Sequence, residues 1–160
     1  MKFVNNVTRL LDSKKIPYRI NKLPAKKIGA LETARILAVD PAIVFKTIVV
    51  TRKETKTKPV LAVIPGNTQL DLKALARELG EKKMSLPTER EAEKLTGLQA
   101  GGISPLALIN KGFQVVIDQS AMERDEIHIS GGQRGLNISL RVGSLIELTR
   151  ARSAEISIPL

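Results

Sequence analysis

The chain has 160 residues, no cysteine and a single histidine, with 26 Lys and Arg against 16 Asp and Glu and a formal charge of +10 at pH 7. That length fits one domain, residues 1–160, with a real core; the absence of cysteine excludes disulfides, thiolate metal sites and a cysteine nucleophile; and the charge favours a polyanionic partner, nucleic acid first. The aromatics, Phe3, Tyr18, Phe45 and Phe113, weigh against a stacking platform for single strands.

In chain order, Val4, Val7, Leu10 and Leu11 repeat at helical spacing and predict an amphipathic helix over 4–14. The stretch IPYRI, 16–20, reads as a short strand with Pro17 near its start. ALETARILAV, 30–39, is helical and stops before Pro41, which disfavours helix at Asp40. AIVFKTIVVTR, 42–52, and KPVLAVIPG, 58–66, predict two paired central strands joined by the polar KETKTK, 53–58. Asp71 can cap a helix that runs through Glu78 and ends at Gly80. Thr88 and Glu91 form a capping box for another helix, closed by Gly97. After the loop QAGGISPL, 99–106, GFQVVID and EIHIS read as strands, GGQRG as a tight turn, LNISLRV as the returning strand, and 145–150 as a last helix. Helices interleaved irregularly with hairpins predict an α+β domain with a mixed sheet. No apolar run reaches the roughly 18 residues of a membrane span, and MKFVNNVTRL lacks a signal peptide's apolar region. A cytoplasmic protein with no membrane partner is therefore expected.

Basic residues crowd the first segment (Lys14, Lys15, Arg19, Lys22, Lys26, Lys27) and recur at Arg52, Lys53, Lys56 and Lys58, while acids gather between Glu78 and Glu93. Such asymmetry suggests one basic face.

Three places invite chemistry. Strand alternation puts Val44, Lys46, Ile48 and Val50 on one face and Phe45, Thr47 and Val49 on the other. Both faces are apolar, so Lys46 either meets an anionic group or snorkels out at an edge. In the loop, Gly101 and Gly102 permit close backbone approach and positive φ, and Pro105 stiffens the exit. That arrangement suits an oxyanion hole or an ordinary helix-to-strand connection. SGGQRG, 130–135, lacks the spacing and ending of a Walker loop and works as a hairpin turn with Arg134 at its tip.

His128 and Ser130 share one strand face, yet with Asp125 or Asp118 they do not form a convincing triad, and GISPL is not a nucleophile elbow. One histidine and no cysteine argue against zinc, and no cofactor is expected. The residues thus point to backbone donors, a few hydroxyls and one lysine, a set suited to hydrolysis of an already activated ester.

The ordered set VFKTIVV, QLDLKALA, GGISPL and SGGQRGL resembles the YbaK/EbsC family of aminoacyl-tRNA deacylases, relatives of the editing domain of bacterial prolyl-tRNA synthetases. The resemblance spans nearly the whole chain. It implies a mixed, curved, partly barrel-like sheet flanked by helices, and an editing enzyme that hydrolyses the ester of mischarged tRNA. The branch it looks most like acts on Cys-tRNA(Pro), with tRNA(Cys) and prolyl-tRNA synthetase as further expected partners. Carried over by position, Lys46 and Thr47 would contact the terminal nucleotide and aminoacyl group. Gly101 would line the reacting carbonyl through its backbone, with Gly102, Ser104 and Pro105 of the same motif beside it, and Ser130 and Asn137 would face the pocket. Attack by the substrate's own thiol would explain the missing nucleophile; relatives that clear alanine must use water. A non-catalytic relative that binds tRNA or a synthetase is the alternative from another class. The chain departs from the family at Gln133, at Asn137, where an acid is common, and at Leu23, where an aromatic is common.

Overall fold

The computed structural model describes residues 4–53 and 57–160. The first helix, α1 (Asn6–Ser13), opens on a capping box: the Asn5 side chain accepts from the Thr8 N–H, and Thr8 accepts from the Asn5 N–H in return. Strand β1 (Tyr18–Lys22) begins two residues later than the sequence suggests. Helix α2 (Ala30–Leu37) ends at Ala38 in the left-handed region, three residues ahead of Pro41.

Strands β2 (Phe45–Arg52) and β3 (Val60–Pro65) pair antiparallel as expected, from Phe45 opposite Pro65 to Val50 opposite Val60. Residues 54–56 of their connection, Lys56 of the second basic cluster among them, lie outside the described residues. Strand β4 (Thr68–Leu70) leads into α3 (Leu72–Glu78), capped by Asp71 through the Ala74 N–H. A short β5 (Met84–Ser85) precedes α4 (Glu89–Thr96), which carries the Thr88–Glu91 capping box and stops at Gly97 with φ 74°. Then come β6 (Gln114–Asp118), β7 (Glu126–Ser130), β8 (Leu136–Arg141), α5 (Val142–Thr149), β9 (Arg152–Ala154) and β10 (Ser157–Pro159).

The strands form a five-stranded sheet in the order β5-β2-β3-β6-β9, a three-stranded sheet β1-β8-β7 and a β10-β4 pair. β3 and β6 pair parallel, as do β6 and β9, while the other pairs are antiparallel, so the large sheet is mixed. Every residue of β3 is buried, as a strand covered on both faces requires. One face, with Phe45, Val49, Leu61 and Ile117, packs on the inner face of the small sheet (Ile127, Ile129, Ile138, Leu140) and on Val7, Leu11 and Leu145 of α1 and α5. The opposite face, with Val50, Val60, Ala62 and Ile64, packs on Leu75 and Ala76 of α3 and on Ile156. The strands do not join into one closed barrel. A single parallel bridge, Val44 to His128, ties the start of β2 to β7. Both strands run the same way from it, so two residues further on Lys46 and Ser130 come level with each other. The candidate site lies at this junction.

Arg52, from the second basic cluster, does not face solvent freely. Arg52 is largely buried and held by Glu81 at 2.6 Å and by Gln114, so it ties β2 to the loop after α3 instead of joining a surface patch.

Candidate active site

A cleft of about 300 Å³ opens where β2, β7 and β8 meet, at the small end of the range for ligand sites. One wall is the start of β2, Val44 to Thr47; another is Ser130 with Gly135, Leu136 and Asn137; a third is Ala100, Gly101 and Ile103. The rim is completed by Leu23 and 26–30, with Lys27 ion-paired to Glu89 of α4. Lys46, Thr47, Gly101, Ser130 and Asn137 are thus brought together from four separate stretches of the chain. Leu23 lines the same cleft.

Lys46 is half-buried, and its ammonium donates to the Gly66 carbonyl at 3.3 Å. Burial holds its pKa below the ordinary lysine value, and no carboxylate among the described residues pairs with it. A partly desolvated cation facing a cleft, balanced only by a carbonyl dipole, is suited to receive an anionic or electron-rich oxygen. Gly66 has to be bare for this: a Cβ there would lie 2.8 Å from Ala30 Cβ and 2.9 Å from the Val44 carbonyl oxygen.

Gly101 has φ 89°, and an added Cβ would lie 3.1 Å from Lys27 Cα, so both the turn and the close approach of the 26–28 segment call for glycine. Its N–H has no hydrogen-bond partner among the described residues. Gly102, Ser104 and Pro105 do not line the cleft. Gly102 packs its backbone on the turn after β7, where a Cβ would meet Gln133 Cα at 2.8 Å. Ser104 is fully buried and accepts from the Leu106 N–H, capping the turn that Pro105 begins.

Ser130 accepts from the Gly132 N–H at 3.2 Å, and no base activates its hydroxyl. No hydrogen bond joins His128 to Ser130. The His128 Nδ1 lies 3.0 Å from Asn137 Oδ1, 3.1 Å from Ser139 Oγ and 3.4 Å from Asn21 Nδ2. Asn21 donates to the same two oxygens at 3.2 and 2.8 Å. Asn137, 4% exposed, therefore has its oxygen held from behind. Asp118 is engaged elsewhere, by Ser120, the Ile156 N–H and Ser157. No Ser-His-Asp array exists among these residues, and no group of three metal-ligating side chains occurs among the described residues.

Sequence reasoning did not assign residues 26–30 to the site, and it missed the part played by two residues that hold the glycine loop. Arg134 Nε donates to the Ala100 carbonyl at 2.7 Å, and Glu93 accepts from the Ala100 N–H at 2.8 Å.

Comparison with known proteins places this geometry. Residues 25–148 match the family model of the aminoacyl-tRNA editing domain. A proposed Cys-tRNA(Pro)/Cys-tRNA(Cys) deacylase of Enterococcus faecalis, EbsC, is 34% identical over 154 residues, 95% of this chain and 92% of that protein. The multifunctional Ser/Thr-tRNA deacylase ProXp-y of Escherichia coli is 30% identical over 92 residues, 57% of this chain and 54% of that one. The solved structure of a proposed trans-editing enzyme for prolyl-tRNA synthetase superposes with a TM-score of 0.81 at 22% identity, covering 98% of this chain and 99% of that one. The chain belongs to the aminoacyl-tRNA editing domain family, and its cleft is built on that family's fold.

Proposed function

We propose that the protein is an editing hydrolase that cleaves the ester of cysteinyl-tRNA(Pro), with Lys46 and the Gly101 backbone as its catalytic groups. The observation that carries this is the cleft's composition: a half-buried ammonium bonded only to the Gly66 carbonyl lines the same cleft as a bare main-chain loop whose Gly101 N–H has no partner among the described residues, and no activated nucleophile lines it. An aminoacyl ester is already activated, so position and charge stabilisation supply what the reaction lacks. The cleft's volume admits the aminoacyl group and the terminal sugar, not the duplex stem.

The reacting carbonyl lies against Gly101, whose N–H donates to the oxygen that gains charge. Lys46 stands at the terminal nucleotide and the developing oxyanion, with Thr47 beside it. Ser130 and Asn137 bound the amino acid's side chain. The substrate thiol attacks its own carbonyl: a sulfur–carbon bond forms, the bond from carbonyl carbon to ribose oxygen breaks, and the thiol proton passes to that oxygen. The cyclic thioester then opens with water to free cysteine. The 34% identity to EbsC over nearly both chains supports cysteine as the amino acid.

The test compares wild type and Lys46→Ala on tRNA(Pro) charged with cysteine or with S-methylcysteine. Wild type should release cysteine and leave the blocked analogue, and Lys46→Ala should lose about 100-fold or more while remaining folded, the scale of removing one oxyanion-stabilising group. Equal release of both amino acids rejects thiol attack. Full activity in the variant removes Lys46 from the site.

A further inference from the structure

Arg134 does not line the cleft, yet its side chain reaches across from the β7–β8 turn to the loop that does. Its Nε donates to the Ala100 carbonyl at 2.7 Å. The peptide that contributes this carbonyl also contributes the Gly101 N–H. It is trans, since the chain has no cis bond among its described residues, so the carbonyl and the N–H point in opposite directions. A grip on the carbonyl therefore sets the direction of the N–H. The Gly101 N–H has no partner among the described residues, while the neighbours on either side are tied down: Ala100 N–H by Glu93 and Gly102 N–H by the Gln99 carbonyl, both at 2.8 Å.

We infer that Arg134 is a positioning residue: it holds the Ala100–Gly101 peptide so that the Gly101 N–H faces the substrate carbonyl, and it strengthens that donor. This inference rests on the proposed deacylase function. An arginine suits the task because it is always charged. A charged donor on the carbonyl draws electron density toward oxygen and makes the N–H of the same peptide a better donor. The bareness of Gly102 has its reason here: with a Cβ 2.8 Å from Gln133 Cα and 3.1 Å from the Arg134 nitrogen, the two loops could not meet. From the far side, the Asn5 side chain donates to the Gly131 carbonyl and to Gln133 at 3.0 Å, which holds the turn that carries Arg134. SGGQRG, which matches no phosphate loop, is then a device acting on the loop opposite.

Single-turnover release of cysteine from cysteinyl-tRNA(Pro) at saturating protein tests this with wild type, Arg134→Gln and Arg134→Lys. Affinity is read with tRNA(Pro) bearing cysteine through a non-hydrolysable amide, and folding by thermal unfolding. Arg134→Gln should lose about tenfold or more in the saturated rate with affinity within about threefold, less than the loss of an entire oxyanion donor. Arg134→Lys, which keeps the charge and not the Nε geometry, should lie between. Wild-type rate in Arg134→Gln, or a slow rate explained wholly by weaker binding, overturns the inference. Should Arg134→Gln fail to fold, Arg134→Lys carries the same split, and an unchanged saturated rate there overturns it. A wild type that releases nothing rejects the deacylase function itself, an outcome distinct from an active wild type equalled by its Arg134 variants.

Discussion

Lys46 shows how far one residue can be read in a strand pattern. Alternation placed it with Ile48 and Val50, and those neighbours do pack on the second core beside Val60 and Ile64. Alternation left open whether the ammonium met a partner or escaped to water, because the answer depends on Gly66, twenty residues away in sequence. Its burial has a consequence for stability. The folded chain holds Lys46 below its ordinary pKa of 10.5, so between the folded and unfolded values the unfolded chain binds more protons. Stability therefore rises as pH climbs through the folded value toward the unfolded one, and below that window the buried charge is a steady penalty. Lys46→Met should raise the thermal midpoint at neutral pH, and the gain should shrink as pH approaches 10.5. Melting curves of both proteins from pH 7 upward check this; a gain independent of pH would mean that packing, not charge, sets the effect. Gly101 was legible as a candidate from its bare neighbourhood. That Gly102, Ser104 and Pro105 pack instead of lining the cleft was not, since it depends on contacts with Gln133 and on a buried turn.

At the scale of elements, the helices and long strands follow local rules. The Thr88–Glu91 capping box forms as its spacing predicts, and a second one that the sequence reading did not name, Asn5–Thr8, opens α1. Strands β4, β5, β9 and β10 were missed because each has two or three residues, too few for alternation to show. They exist through pairing: β9 beside β6, and β10 against β4. The two capped helices also separate two effects. Thr88 only caps α4, whereas Asn5 caps α1 and braces the turn at Gly131 and Gln133. Thr88→Ala and Asn5→Ala should each lose about 1 kcal/mol from the cap, with about 1 kcal/mol more for the further bonds of Asn5. Deacylation should fall only in Asn5→Ala. Urea unfolding and initial rates on the two variants decide it, and an equal fall in both would sever the turn from the site.

The whole molecule brings three of the four quoted motifs to one seam. VFKTIVV, GGISPL and SGGQRGL all touch the cleft, while QLDLKALA caps and starts α3 under the opposite face of the large sheet. The fold class was legible because helices and hairpins alternate irregularly; the division into a five-stranded and a three-stranded sheet was not, because it rests on the lone Val44–His128 bridge. Net charge was an uneven guide. Of the basic residues, Arg52 is buried against Glu81, Arg19 pairs with Glu126 and Lys27 with Glu89, so part of the positive charge serves the fold. The central claim is that this seam hydrolyses the ester of mischarged tRNA and selects for cysteine. Its most direct test offers the purified protein tRNA(Pro) charged with cysteine, alanine or proline, tRNA(Cys) charged with cysteine, and tRNAs carrying serine or threonine, and follows release of the amino acid. Rapid loss of cysteine, with alanine, proline, serine and threonine retained, is the expected result; stable cysteinyl-tRNA(Pro) in the presence of folded protein would contradict it.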